Sequence, residues 1–149
     1  MSFAKGTFAQ RFSAMGDEAE AKFQEVWTAS YERFGWSRPK LKIGSWPPLL
    51  RHVPDFATSS ELIETIGFGR DGIIKLKLKK VDALLGWNAL LPVRVFLWDS
   101  STSRWAATPI GVIYEACLRS PVKSFDDGGD YYAVVAKGLP VEWTSDGQT

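Results

Sequence analysis

Residues 62–80 run LIETIGFGRDGIIKLKLKK, and their patterning decides the kind of fold the chain adopts. Leu62–Gly67 is apolar and β-branched apart from Glu64, which predicts a strand. Phe68–Gly72 (FGRDG) predicts a turn. Ile73–Lys79 sets Ile74, Leu76 and Leu78 in alternation with Lys75, Lys77 and Lys79, the period of a strand with one wet face. Two strands joined by a glycine-bearing turn predict an antiparallel hairpin. Downstream, Val81, Leu84 and Leu85 return to helical spacing and end near Leu90, ahead of Pro92. Val93–Trp98 (VRVFLW) is dense in β-branched and aromatic residues and predicts a buried strand. Beyond it a turn over Asp99–Ser103, a short return strand over Arg104–Ala107, a helix over 110–118, a turn over 126–130 and a last strand over 131–136 are expected.

Upstream, Phe23, Val26, Trp27, Tyr31 and Phe34 fall at helical spacings ahead of Gly35, so a helix is expected over Asp17–Phe34. Residues 36–50 carry three prolines and predict an irregular approach, with short extended pieces at Leu41–Ile43 and Leu49–Val53. The order helix, strands, helix, strand, helix, strand predicts an α/β fold: a mixed central sheet flanked by helices. A chain of 149 residues, 45% hydrophobic, suits a single domain over residues 1–144 with 145–149 as a frayed tail. Lone Cys117 and lone His52 exclude a disulfide framework within the chain and a zinc site built from several cysteines or histidines. No apolar run approaches the roughly 20 residues of a bilayer span, and Met1–Phe12 lacks a signal-peptide core. No membrane partner and a cytoplasmic location are therefore the expectation.

Candidate chemistry lies in acids held where charge is costly. Glu64 sits inside an apolar strand, and Asp55 follows Pro54 at the end of an extended piece. Buried acids need a partner, and Mg²⁺ takes one or two carboxylates with waters and phosphates. Glu20 stands seven residues before Trp27, about 20° away on a helical wheel, and so within the apolar stripe. The bland alternative gives Asp55 a turn to cap, points Glu64 at solvent and leaves Glu20 at the edge of its stripe. Arg70–Lys80 holds five basic residues against one acid in a chain of net charge +1. That local ridge is suited to phosphate contacts through Arg70, Lys75, Lys77, Lys79 and Lys80, or to protecting a strand edge. Trp36, Trp46 and Phe68 fall in loops, where they are candidates for stacking on bases; His52 is expected to be an ordinary strand residue.

Gly16-Asp17-Glu18-Ala19-Glu20 on a helix, Pro54-Asp55, then Glu64-Thr65-Ile66 on a strand, followed by the lysine-rich segment, helix 81–90 and strand 93–98, resemble the core of the PD-(D/E)XK nucleases. Within that superfamily the pattern is most similar to small phage or archaeal-type Holliday-junction resolvases. It spans residues 16–98. The resemblance implies a restriction-endonuclease-like core, Glu20 as the helix acid, and Asp55 and Glu64 as ligands of Mg²⁺ or Mn²⁺. It also implies a DNA partner, a homodimer, hydrolysis of phosphodiesters in branched or recombination-intermediate DNA and, for a phage protein, the host cytoplasm. One position departs: where the family has its lysine, this chain has Ile66. Lys75 or Lys77 would supply the amine if the hairpin set either opposite Glu64, and Lys80 is a third candidate. Two alternatives stay open, an inactive nuclease-like DNA-binding module and a virion structural or assembly protein.

Overall fold

The computed structural model describes residues 8–35, 46–126 and 128–146. A long helix α1 (Phe8–Val26) is followed by β1 (Glu32–Arg33), a one-turn helix α2 (Pro48–Arg51), β2 (Phe56–Ala57) and β3 (Leu62–Phe68). Next come β4 (Ile73–Lys77), α3 (Leu78–Asn88), β5 (Val93–Asp99), β6 (Arg104–Pro109) and α4 (Ile110–Leu118). The chain finishes with β7 (Val122–Ser124), β8 (Asp130–Val135), a 3₁₀ turn at Ala136–Gly138 and β9 (Thr144–Ser145). The architecture is α/β, with a mixed sheet in the order β1-β2-β3-β5-β6-β9 and a second, antiparallel sheet β4-β8-β7.

The centre of the main sheet is β3 paired in parallel with β5, from Leu62 opposite Val93 to Phe68 opposite Asp99. Parallel neighbours need a crossover, and α3 provides it. Both strands are buried on two faces, which is why they are near-continuous apolar runs. One face carries Ile63, Phe96 and Trp98 against Ala19 and Phe23 of α1. The other carries Leu62, Ile66, Val95 and Leu97 against Val81 and Leu84 of α3, Ile113 of α4, and Ile74 and Leu76 of the second sheet. Helix α1 lies so close to β3 that a Cβ on Gly67 would sit 2.3 Å from the Met15 carbonyl oxygen; only glycine permits that approach.

Four expectations need correction. The hairpin does not form: β4 leaves the turn at Gly72 (φ 68°) and pairs with β8, Lys75 opposite Ala133 and Lys77 opposite Tyr131. Alternation could not choose the partner, and β4, with one face buried and the other half-open, matches β8 rather than the fully buried β3. Helix α3 begins at Leu78, not Val81, because Leu78 belongs equally to the strand period and to the helical one. Helix α1 stops at Val26; Trp27 and Tyr31 still reach the Phe23 ring, at 4.9 and 5.1 Å between centroids, but from the chain beyond the helix. Residues 48–51 form a helical turn rather than an extended piece, opened by Pro48 in its first positions. The piece at Leu41–Ile43 and Trp36 lie outside the described residues. Strands β1, β2, β7 and β9 are additions, and Ser145, placed in the tail, pairs with Arg104.

Candidate active site

The site grows from the place where β2 begins. Its two residues cover only Leu62 and Ile63 of β3, so the ladder on that edge stops short of Thr65. Asp55, immediately before β2, supplies the missing acceptor: its Oδ2 takes hydrogen bonds from Thr65 N at 2.9 Å and from Thr65 Oγ1 at 2.8 Å. The Asp55 carbonyl meanwhile accepts from the N–H groups of Phe34 and Gly35 at 2.9 and 3.3 Å, which anchors the backbone on its other side. An aspartate that completes a sheet edge is held more firmly than one on a free loop.

Glu64 neighbours Thr65 on β3, on the face turned to α3, and its side chain is only 6% exposed. A carboxylate buried to that degree requires a cation or a proton. Lys80, in the first turn of α3, brings its Nζ to 2.7 Å from Glu64 Oε2. Glu20 approaches from α1, its two oxygens held by the two terminal nitrogens of Arg33 at 3.4 and 3.2 Å. The Arg33 guanidinium lies over the Phe56 ring, 4.4 Å from its centroid, so it is positioned by stacking as well as by charge.

These groups interact as a row. The Glu64 charge bears on Asp55, the Glu20 charge on Glu64, and the Asp55 charge on Glu20. Burial, then the Glu64 charge, pushes Asp55 up to about 6, against the opposing pull of Lys80 and Thr65. Burial also raises Glu64, with Lys80 opposing and Glu20 adding, and raises Glu20, with Arg33 opposing and Asp55 adding. Burial works against the Lys80 charge, but Glu64 and Asp55 outweigh it and its pKa is raised, so this amine stays protonated. Three carboxyl groups thus face two cations, Lys80 and Arg33, and cannot all ionise cheaply.

Among the described residues no group of three or more His, Cys, Asp and Glu side chains is placed to hold a metal ion. Magnesium requires less, one or two carboxylates with the remaining positions taken by water and phosphate. Asp55 and Glu64 fit that demand: Thr65 engages one oxygen of Asp55 and Lys80 one oxygen of Glu64, and the repulsion between the two carboxylates is what a divalent cation relieves.

Of the sequence-derived candidates, Glu20, Asp55, Glu64 and Lys80 come together. Lys75 and Lys77 are carried into the second sheet, so neither stands across from Glu64 in the sheet. The amine beside Glu64 is that of Lys80, in the helix that follows, and Ile66 is a core residue at 8% exposure. Arg70 and Lys79 are exposed, and Lys77 has its Nζ 5.7 Å from the Phe125 ring centroid. Phe68 is 2% exposed and packs on Trp143, which removes it as a base-stacking residue. Arg33 escaped the sequence analysis because nothing in its spacing marks it: it meets Glu20 only once β1 has folded back beside β2.

No protein-family model matches the sequence, and no curated protein does. Among solved structures the chain is similar to Archaeoglobus fulgidus Hjc, a Holliday junction resolvase from an archaeal hyperthermophile, with 14% identity, 80% of this chain and 83% of that chain covered, and a TM-score of 0.44. No helix among the described residues is long and apolar enough to cross a membrane.

Proposed function

We propose that the chain is a divalent-metal-dependent DNA endonuclease that hydrolyses phosphodiester bonds in branched or recombination-intermediate DNA. One observation carries this: Glu20, Asp55, Glu64 and Lys80, drawn from a helix, a strand end, a strand interior and a second helix, meet at the open edge of β3. The Lys80 amine on Glu64 supports reading Lys80 as the counterpart of the lysine absent at Ile66. It therefore weakens the case for an inactive binding module, which rested on Ile66.

Asp55 and Glu64 would hold Mg²⁺ or Mn²⁺, which when bound polarises the phosphate and acidifies water. Thr65 keeps the Asp55 carboxylate oriented, and Arg33 does the same for Glu20. Glu20, its pKa raised by burial, is suited to accept a proton near the reacting atoms. Lys80 remains cationic and steadies negative charge as it develops on the phosphate oxygens. Paired cuts across a junction need two such sites, so the active species is proposed to be a homodimer, with the exposed cations Arg70, Lys77 and Lys79 placed to contact phosphates.

Purified protein incubated with branched, linear and single-stranded DNA across divalent metals tests the proposal. Cleavage dependent on Mg²⁺ or Mn²⁺, strongest on branched DNA and lost by more than about 10²-fold in Asp55→Asn and Glu64→Gln, is expected. Equal cutting by both variants would remove the mechanism.

A further inference from the structure

The segment between Leu49 and Asp55 is pinned at both ends. Trp87 Nε1, in the last turns of α3, donates to the Leu49 carbonyl at 3.0 Å, and Leu49 packs on Gly86. Asp55 is held on Thr65 of β3. The chain therefore runs back along α3 from its end towards its first turn, where Lys80 pairs with Glu64. His52 lies in the middle of this run, its N–H closing α2 on the Pro48 carbonyl at 2.9 Å. Three residues of chain reach at most about 11 Å, so the imidazole is never far from the acids. It is not the strand residue expected from sequence but the end of a helical turn.

We propose that Arg51, His52, Lys77 and Lys79 form a phosphate-binding site that seats a DNA backbone phosphodiester neighbouring the one that is cut. The inference rests on the nuclease reading and names the surface along which the strand would reach the acids. Among the described residues none of Arg51, Lys77 and Lys79 pairs with a carboxylate, so their charge is available to an anion. Helix α3 opens at Lys77 without a side-chain cap, and its first amides add to the positive potential at the same corner. His52 registers that potential: burial, then Lys80, Arg51, Lys77 and Lys79, lowers it to about 4, so it is neutral at pH 7 and offers one N–H as a donor. A phosphate arriving there offsets the cations and favours the imidazolium form.

His52 is the only histidine in the chain, so its ring resonances report this site without ambiguity. Its pKa is to be measured by NMR titration in EDTA with no addition, with inorganic phosphate, and with a short DNA duplex. A rise of at least about one unit with duplex, smaller with inorganic phosphate, is expected. The double variant Arg51→Gln/Lys79→Gln should abolish the rise and weaken duplex binding about 10-fold, with a shallower salt dependence. An unmoved His52 in duplex-saturated protein, or the same rise in the folded double variant, overturns the site. A parallel Mg²⁺ cleavage assay separates the two proposals. Cutting with an unmoved His52 removes only the phosphate site, whereas a shifted His52 without cutting keeps the site and removes the nuclease.

Discussion

Asp55 gives the acids a measurable signature. Its ordinary value is 3.8 and the fold pushes it up to about 6. A carboxyl whose folded pKa lies above its unfolded one stabilises the protein below the unfolded value, and that contribution is lost as pH rises through the folded value. Metal-free protein should therefore lose up to about 3 kcal/mol between pH 4 and pH 7 from this group. Asp55→Asn should flatten that slope in melting curves taken in EDTA. Added Mg²⁺ at pH 7 should raise Tm in the wild type and not in the variant, because a ligand of the native state stabilises by mass action. Lys80 is the complementary case. Lys80→Met strands the Glu64 charge at 6% exposure and should cost about 3 kcal/mol in urea unfolding, much of it recovered in Lys80→Met/Glu64→Gln.

Between α1 and β3 the decisive feature is a missing side chain. A Cβ at Gly67 meets the Met15 carbonyl oxygen at 2.3 Å and its carbon at 2.9 Å, both backbone atoms that move only with the helix. Gly67→Ala should therefore destabilise by about 2–3 kcal/mol and shift α1, carrying Glu20 away from Asp55. Circular dichroism melting and DNA cleavage together check this, since under the proposed nuclease function displacement of the helix predicts a fall in cleavage even at temperatures where the variant stays folded. The hairpin expectation failed for a reason that also belongs to this scale. Strand alternation in Ile73–Lys77 reports which face is buried and is silent on which neighbour supplies the hydrogen bonds.

The C-terminal residues tie the main sheet to α1. Thr144 and Ser145 extend the sheet beside Trp105 and Arg104, and Asp146 takes Lys22 Nζ at 2.7 Å, where that ammonium also lies 5.0 Å from the Trp98 ring centroid. Deleting residues 144–149 should cost about 1–2 kcal/mol and expose Trp98 and Trp105, read as a red shift in tryptophan emission. A fully peripheral tail would leave both unchanged.

Much of this molecule was legible in one dimension because burial leaves a periodic trace. The apolar runs at Leu62–Gly67 and Val93–Trp98 marked strands, the spacing of residues 110–118 marked a helix, and Glu20, Asp55 and Glu64 stood out as charges among apolar neighbours. Local composition determines such features. Which strand pairs with which, that Lys80 rather than Lys75 or Lys77 meets Glu64, and that Arg33 holds Glu20, were decided by tertiary structure alone. Hydrogen-bond partners in a sheet and ion pairs between elements are long-range, and the free energy that selects them comes from packing the whole core, which no short window of residues contains.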